Sequence, residues 1–242
     1  KASDMGNVDA LVHLGTCHNT GDGVAQDQKK AIELFQKAAD MGNTDAMTDL
    51  GNCLRDGQGV TRNQKKANEL YEKAAEMGNT RGMINLAISY ENGNGVSQDK
   101  EKAIELCQRA IDMGNALAMF NLGCFYLKEG RVPQDKKKAI ELFQKAADMS
   151  NPNAMVGLGI CYLKGDGVPQ DKQKAIELFQ QAAEMGNTDA MSTLGVCYEK
   201  GLGILQDKKK AIELYQRASD LGHSRAMVNL GVCYDGEGTG QD

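Results

Sequence analysis

The sequence is short of several residue types, and each shortage excludes something. Its 242 residues contain no Trp, three Pro and three His, and only 5% of them are aromatic. Scarce Pro, combined with abundant Ala, Leu, Glu and Lys, favours helices. No apolar run approaches the ~18 residues that a membrane-spanning helix needs. The net charge of −5 disfavours nucleic acid and anionic membranes as partners, because neither would be attracted to an acidic chain.

Groups that could perform catalysis or bind a metal are few and poorly spaced. His13 and His18 are five residues apart, whereas two ligands on one helical face are four apart. The Gly-x-Gly segments lack the Lys-Ser/Thr ending of a phosphate loop and the alternating carboxylates of a calcium loop. No nucleophile–base constellation repeats or stands alone in the sequence. We therefore expect no metal, no cofactor and no enzymatic activity.

The seven cysteines do not form a disulfide pattern. Packed helices are ~10 Å apart, and a disulfide requires Cα atoms within ~7 Å. We interpret the cysteines as small buried thiols in a reducing compartment, and the absence of an Asn-x-Ser/Thr acceptor agrees with a cytoplasmic location. Five of them occupy equivalent places in a repeat: Cys17, Cys53, Cys161, Cys197 and Cys233.

A period of 36 residues runs through the chain. Glycine recurs at this interval, with Ser150 filling one gap: Gly6, Gly42, Gly78, Gly114, Gly186 and Gly222. Such a period indicates one supersecondary unit stacked on itself. We predict a single repeat domain over residues 1–242. It comprises the tail of a preceding repeat helix (1–5), six full repeats (6–41, 42–77, 78–113, 114–149, 150–185 and 186–221) and a partial seventh (222–242). We interpret the chain as a slice of a longer protein, monomeric as this fragment.

Each unit predicts two antiparallel helices, here called helix A and helix B. In the second unit, Asn43 can cap helix A, which runs to about Arg55. The loop 57–60, with the sequence Gly-Gln-Gly-Val, allows a tight reversal through positive φ angles. Asn63 can then cap helix B. One hairpin cannot bury its own apolar faces, whereas stacked hairpins can, so we predict an all-α fold, an α/α solenoid.

A glycine lies in the middle of helix A in most units, as at Gly15. It costs roughly 1 kcal/mol relative to Ala in a helix. We expect close approach of helix B, through its small residues Ala38 and Ala39, to compensate for that cost.

Three motifs carry a resemblance to a known family. They are Ala-Met-x-x-Leu-Gly-x-Cys-Tyr at 190–198, Gly-x-Gly-Val at 165–168 and Lys-Ala-Ile-Glu-Leu-Phe at 174–179. The chain resembles the Sel-one-like repeat, a member of the tetratricopeptide-like superfamily. The resemblance implies a right-handed superhelix with helix A on its concave wall, and a role as an adaptor that binds other proteins. The fourth unit departs from the pattern, since Glu129-Gly130-Arg131 replaces Gly-x-Gly.

The positions that vary between units predict the binding surface. Three helix A positions vary most and lie on one helical face, so we expect that face to be the concave wall. We predict that it binds an extended peptide or protein through apolar residues, amide side chains and a row of lysines. The predicted partner-binding residues are Arg81, Ile84, Asn85, Ile88, Leu117, Phe120, Asn121, Asn153, Val156, Ile160, Lys128, Lys164 and Lys200.

Other interpretations remain open for these residues and for the function. Ile84, Phe120 and Val156 are also consistent with packing between units, and the Asn and Lys rows with solvated surface. The main hypothesis is a non-catalytic protein-binding scaffold. The alternatives are a helical-repeat module that binds RNA, and a region that docks substrates for a larger multidomain enzyme.

Overall fold

A computed structural model describes residues 7–128 and 135–238, the last four by their backbone alone. These ranges contain thirteen α-helices and no strand. The odd-numbered helices are the predicted A helices and the even-numbered ones the predicted B helices. They are α1 (Val8–Thr20), α2 (Gln28–Asp40), α3 (Thr44–Asp56), α4 (Gln64–Glu76), α5 (Thr80–Asn92), α6 (Lys100–Asp112), α7 (Ala116–Leu127), α8 (Lys136–Asp148), α9 (Pro152–Lys164), α10 (Lys172–Glu184), α11 (Thr188–Lys200), α12 (Lys208–Asp220) and α13 (Ser224–Gly238). The all-α prediction is confirmed. Residues 129–131, where the loop motif departs, lie outside the described ranges.

Polar caps fix where the helices begin. The Asn43 Oδ1 accepts a hydrogen bond from the Ala46 N–H at 2.8 Å, as predicted for the start of an A helix. The Asn63 Oδ1 accepts one from the Lys66 N–H at 3.0 Å at the start of a B helix. Each cap satisfies a backbone donor that the helix leaves unpaired.

Glycines end the A helices and turn the chain. Gly57 follows α3 in the left-handed conformation with φ of 74°, and its N–H bonds to the Cys53 carbonyl. Gly59 also has a positive φ, 67°, which confirms the prediction for the loop. A Cβ on Gly59 would lie 2.6 Å from the Gln28 Cβ. The loop of one hairpin therefore packs closely on the start of the preceding B helix.

Within a hairpin, an aromatic ring of helix B rests on the mid-helix glycine of helix A. A Cβ on Gly15 would lie 2.7 Å from the Cε1 atom of Phe35. Our expectation that Ala38 and Ala39 explain this glycine was therefore wrong, since the glycine makes room for a ring. The two alanines instead belong to an apolar cluster that includes Ala46 of the next A helix.

Successive hairpins are linked through the caps of their A helices. The Asn79 Nδ2 donates to the Asp45 Oδ1 at 2.9 Å, and the Asn187 Nδ2 donates to the Asn153 Oδ1 at 2.8 Å. These bonds join the first turn of one A helix to the first turn of the next. Within these pairs, neighbouring A helices consequently lie parallel and in register.

The chain forms two compact units, one ending at Ala118 and the other beginning at Met119. In the first unit α1 to α6 pack consecutively, and α3 also contacts α5. In the second unit α8 packs on α9, the helices from α9 to α13 pack consecutively, and α9 also contacts α11. No helix in the described ranges is both long and apolar enough to cross a membrane.

The methionines fall into two sets that differ in burial. Met47 and Met83 on A helices are 8% and 2% exposed. Met77 and Met113, which follow B helices, are each 56% exposed. The second set lies beyond the last helical turn, where the next hairpin does not cover the side chain.

Candidate functional site

The A helices of the second unit form a groove with a volume of about 400 Å³. It extends from the first turn of α13 to the last turns of α7 and α9. We call it the apolar groove. Its lining residues are Phe120, Cys124, Leu127, Phe143, Asn153, Val156, Gly157, Ile160, Cys161, Lys164, Asp166, Asp189, Thr193 and Arg225.

Two aromatic rings and a glycine shape the floor of the apolar groove. The ring centroids of Phe120 and Phe143 are 5.8 Å apart, with an interplanar angle of 33°. A Cβ on Gly157 would lie 3.3 Å from the Phe143 ring and 3.5 Å from the Phe120 ring. The missing side chain at Gly157 therefore leaves the half-buried ring of Phe120 accessible from the groove, beside Ile160, which is also half-buried. The Phe143 ring lies beneath and is only 1% exposed.

The thiols in the floor are neutral. Burial raises the pKa of Cys161 to about 11, and burial likewise raises the pKa of Cys124 to about 11. A thiol with so high a pKa carries almost no thiolate at neutral pH, and the thiolate is the reactive form. Both cysteines therefore contribute apolar surface, and neither has the character of a nucleophile.

The rim of the apolar groove carries charged side chains of both signs, and they differ in whether another residue pairs with them. The Asp166 Oδ1 is 2.7 Å from the Lys136 Nζ. The Asp189 Oδ1 is 3.1 Å from the His223 Nε2. Lys164 and Arg225 are exposed, and neither has an ion pair or hydrogen bond with any residue that the structure describes. The groove therefore offers free cations, while its carboxylates are engaged.

The first unit has a smaller groove of about 280 Å³ on its A helices, which we call the polar groove. Its lining includes Thr16, Asn19, Asp49, Asn52 and Arg81. Arg81 forms ion pairs with Asp49 and, at 3.5 Å, with Asp45. Burial raises the pKa of Asp49 above its ordinary value, although Arg81 opposes that shift.

Amide groups in the polar groove bond mostly to the protein itself. The Asn52 Oδ1 accepts from the Tyr71 Oη at 2.8 Å and from the Asn85 Nδ2 at 3.1 Å. The Asn19 Oδ1 is buried and has no hydrogen-bond partner within the described residues. This groove is thus internally satisfied except at Asn19, and it has little apolar surface to offer.

Two further pockets lie between B helices and repeat the same residue types. One contains Tyr90, Lys102 and Glu105, and the other contains Tyr198 and Lys210 with equivalent neighbours. In each, the lysine Nζ lies over the tyrosine ring, at 5.2 Å and 5.4 Å from its centroid. Because these contacts recur from hairpin to hairpin, we assign them to the framework.

The structure brings some of the predicted partner-binding residues together and separates others. Five of them line the apolar groove: Phe120, Asn153, Val156, Ile160 and Lys164. Asn121, Lys128 and Lys200 are in the same unit but do not line it.

In the first unit, Arg81 lines the polar groove and Asn85 bonds to Asn52 at its edge. Ile88 is half-buried and Leu117 is 38% exposed. Ile84 is only 3% exposed, which favours the packing alternative for that side chain.

Several groove residues were not in the predicted set. Gly157, Thr193, Asp189 and Arg225 all occupy the variable helix A positions, so the variation between units was the signal that could have found them. Phe143 is on a B helix and reaches the groove from below, which no pattern on helix A indicates. Within the described ranges, no three His, Cys, Asp or Glu side chains are placed to bind a metal ion.

Comparison with known proteins identifies the family that has this architecture. The Sel1 repeat model matches residues 8–43, 44–79, 80–115, 116–151, 152–187, 188–223 and 224–242. A Sel1 repeat protein from Oxalobacter formigenes is 30% identical, with a TM-score of 0.76 over 91% of each chain. A protective antigen with an SLR fold from uropathogenic Escherichia coli is also 30% identical, with a TM-score of 0.64. This chain is covered to 97% in that match and spans 50% of the antigen.

An immunity protein from Pseudomonas aeruginosa shares the fold at 21% identity and a TM-score of 0.69, over 90% of this chain and 83% of that one. None of the curated protein sequences matches this chain significantly. Helix pairs that recur at a fixed interval and carry grooves on their A helices define an α-helical repeat protein of the protein-interaction type. The chain belongs to the Sel1 repeat family.

Proposed function

We propose that this chain is a non-catalytic scaffold that holds an extended segment of a partner protein in the apolar groove. Sel1 repeat proteins are in general non-enzymatic and bind other proteins. The observation that carries the proposal is the half-buried Phe120 ring, which Gly157 leaves accessible from the groove. An apolar side chain of a partner that covers this surface would bury area on both sides, and such anchors dominate binding energies.

The contrast between the two grooves supports the choice of site. Equivalent repeat positions carry Asp49 and Asn52 in the polar groove, and Gly157 and Ile160 in the apolar groove. Asp49 is ion-paired with Arg81, and Asn52 accepts a hydrogen bond from Tyr71. Gly157 and Ile160 have no polar side-chain group to form such bonds and leave surface accessible to a ligand.

The RNA-binding alternative has less support. Retention of single-stranded RNA depends on several cations along the backbone, and within the described residues the apolar groove offers two that have no ion pair, Lys164 and Arg225. The two rings of its floor are tilted against each other, and Phe143 is too deeply buried to stack on a base. We expect random-sequence RNA to be released at moderate salt, and salt-resistant retention would reverse this ranking.

The test is peptide selection on the chain from a displayed library, followed by affinity measurement for the selected peptides. Phe120→Ala should weaken those peptides by about tenfold, because it removes an apolar contact worth roughly 1.5 kcal/mol. Val228→Ala is the matched control, since Val228 has the same repeat position, is 65% exposed and does not line the groove.

The thermal midpoint of each variant separates binding from folding. We expect Phe120→Ala to keep a cooperative unfolding transition while its affinity falls. A variant that loses stability and still binds the peptides normally would show that Phe120 packs the fold and that the peptides bind elsewhere.

A further inference from the structure

Two arginines occupy the same repeat position and have different surroundings. Arg81 lines the polar groove and is ion-paired with Asp49 and Asp45. Arg225 lines the apolar groove, where Thr193 stands at the position equivalent to Asp49. The difference lies in the neighbours of each arginine.

The groups near Arg225 are already engaged with others. The Thr193 Oγ1 donates to the Asp189 backbone carbonyl at 2.7 Å. The Asp189 carboxylate contacts His223, whose Nε2 is 3.1 Å away. Among the described residues, no side chain forms an ion pair or hydrogen bond with Arg225, so its guanidinium keeps all its donors for a ligand.

A second free cation lies at the other end of the groove. Lys164 is the last residue of α9, while Arg225 is the second residue of α13. Since the caps hold α9, α11 and α13 in register, the two positions differ by about eleven residues along the helix direction, or roughly 16 Å. They also differ by two helix spacings of roughly 10 Å across that direction, so their backbones are roughly 25 Å apart. Phe120 and Ile160 provide the apolar floor between them.

We propose that the apolar groove recognises an extended internal segment in which an apolar residue is flanked by Asp or Glu two positions before and two positions after it. This inference rests on the proposed function and specifies its ligand. Alternate residues of an extended chain face the same side, so all three side chains point into the groove. Positions two before and two after are separated by about 13 Å, and the extended Lys and Arg side chains, together with the acidic side chains of the ligand, span the remaining ~12 Å.

A chain terminus fits the groove less well. One terminal carboxylate reaches one cation and leaves the other unpaired, because the two cations stand at opposite ends. The Asp166 carboxylate is ion-paired with Lys136, and the Asp189 carboxylate accepts a hydrogen bond from His223, so both carboxylates are engaged within the protein. The apolar groove is therefore selective for acidic segments although the whole chain carries a net charge of −5.

The experiment measures binding of acetyl-Ser-Glu-Ser-Leu-Ser-Glu-Ser-amide to the full chain by fluorescence anisotropy of a labelled peptide. We expect saturable binding that weakens as salt increases, since it depends on exposed charges. Replacing both Glu residues of the peptide with Gln should reduce affinity about tenfold or more. Absence of saturable binding up to about 1 mM peptide would overturn the inference.

Two substitutions in the chain test the cations directly. Arg225→Gln and Lys164→Gln should each weaken the acidic peptide by about three- to tenfold and leave the Gln peptide unaffected. Arg81→Gln and Lys200→Gln are the matched controls, because they share the repeat positions of the test residues and lie outside the apolar groove. Equal effects of test and control substitutions would refute the proposed role of the groove cations.

A third substitution rebuilds the polar-groove ion pair in the second unit. Thr193→Asp places a carboxylate at the position equivalent to Asp49, and we expect it to pair with Arg225 and weaken the acidic peptide as much as Arg225→Gln does. Thr193→Asn is the neutral control and should retain most of the affinity.

The outcomes separate this inference from the proposed function. If the Glu and Gln peptides bind equally and Phe120→Ala weakens both, the groove is a binding site without acidic specificity, and the inference is wrong. A peptide that ends at Leu with a free carboxylate should bind more weakly than the internal sequence. Tighter binding of the free-carboxylate peptide would overturn the internal-segment form of the proposal.

Discussion

The ring of Phe179 lies directly against Gly159, and a Cβ at that glycine would come within 2.5 Å of the ring's Cε1 atom. The same contact joins helix A to helix B in four other hairpins: Gly15 to Phe35, Gly51 to Tyr71, Gly123 to Phe143 and Gly195 to Tyr215. The glycine thus makes room for a large aromatic side chain in the core of its hairpin. The loss of helix propensity is offset by burial of an aromatic ring.

Gly159→Ala should therefore destabilise the protein, although Ala is the better helix former. We expect a loss of about 1–3 kcal/mol from overpacking against Phe179, which exceeds the roughly 1 kcal/mol gained in helix propensity. Urea unfolding followed by circular dichroism measures the difference.

Gly231→Ala is the matched control for this prediction. Gly231 has the same repeat position, and a Cβ there would meet no atom within 4 Å. The control should be neutral or stabilising. Equal stability changes at the two sites would show that the ring does not require the glycine.

The third hairpin has a different pair at this contact. Ala87 takes the place of the glycine, Cys107 takes the place of the aromatic residue, and both are fully buried. Cys107→Phe alone should lose several kcal/mol, because the new ring meets the Ala87 methyl group. Ala87→Gly in the same chain should recover at least half of that loss. A double-mutant cycle that shows additive changes would contradict the coupling.

Ser150 is the only residue other than glycine with a positive φ in the described ranges, at 60°. It occupies the place that glycine takes after other B helices, as Gly186 does with φ of 85°. Ser150→Gly should raise the free energy of unfolding by about 0.5–1 kcal/mol, since it relieves the left-handed strain at the cost of a more flexible unfolded chain. The reciprocal change Gly186→Ser should lower it. Thermal unfolding of both variants checks the sign, and an unchanged midpoint for both would refute the strain.

Much of the fold follows from local rules that act within one repeat. A cap such as Asn43 and a loop glycine such as Gly57 need only their own turn to be satisfied, so the sequence predicts them correctly. The partner of Gly15 was not predicted, because an alanine and a ring are both plausible neighbours for a glycine until helix packing is known. The exposure of Met77 is likewise not readable from the period, which does not show the side of a hairpin that its neighbour covers.

The candidate site was predicted in part for similar reasons. Variation between repeats indicates the face of helix A, and Phe120 and Ile160 on that face do line one groove. The state of each charge depends on pairs of residues in adjacent repeats, such as Arg81 with Asp49. Both residues of such a pair occupy positions that vary between repeats. A single sequence does not show that two variable positions contact each other. Arg225 therefore emerges as a ligand-binding candidate only when its neighbours are seen.

His223 performs the capping role that asparagine has in the other described repeats. Its Nδ1 accepts from the Ala226 N–H at 3.1 Å, so the ring proton lies on Nε2, which donates to Asp189. His223→Asn should retain the cap and keep stability within about 0.5 kcal/mol, whereas His223→Ala should lose roughly 1 kcal/mol. Urea midpoints of the two variants distinguish them. A loss with Asn as large as the loss with Ala would show that the ring contributes packing and not the cap.

Stability should fall as the pH rises above about 9, because the buried thiols resist ionisation in the folded chain. Burial raises the pKa of Cys161 and Cys197 from 9.0 to about 11, and that of Cys107 to about 12. Between those values the unfolded chain releases protons that the folded chain retains, so deprotonation favours unfolding. The contribution of these thiols is fully present below pH 9 and is lost progressively toward pH 11 to 12. Cys161→Ala should make the decline in unfolding free energy between pH 9 and 11 shallower. Thiolate absorbance of the native protein should appear near pH 11, and its appearance near pH 9 without loss of helical signal would show that the thiols are accessible to water in the folded state.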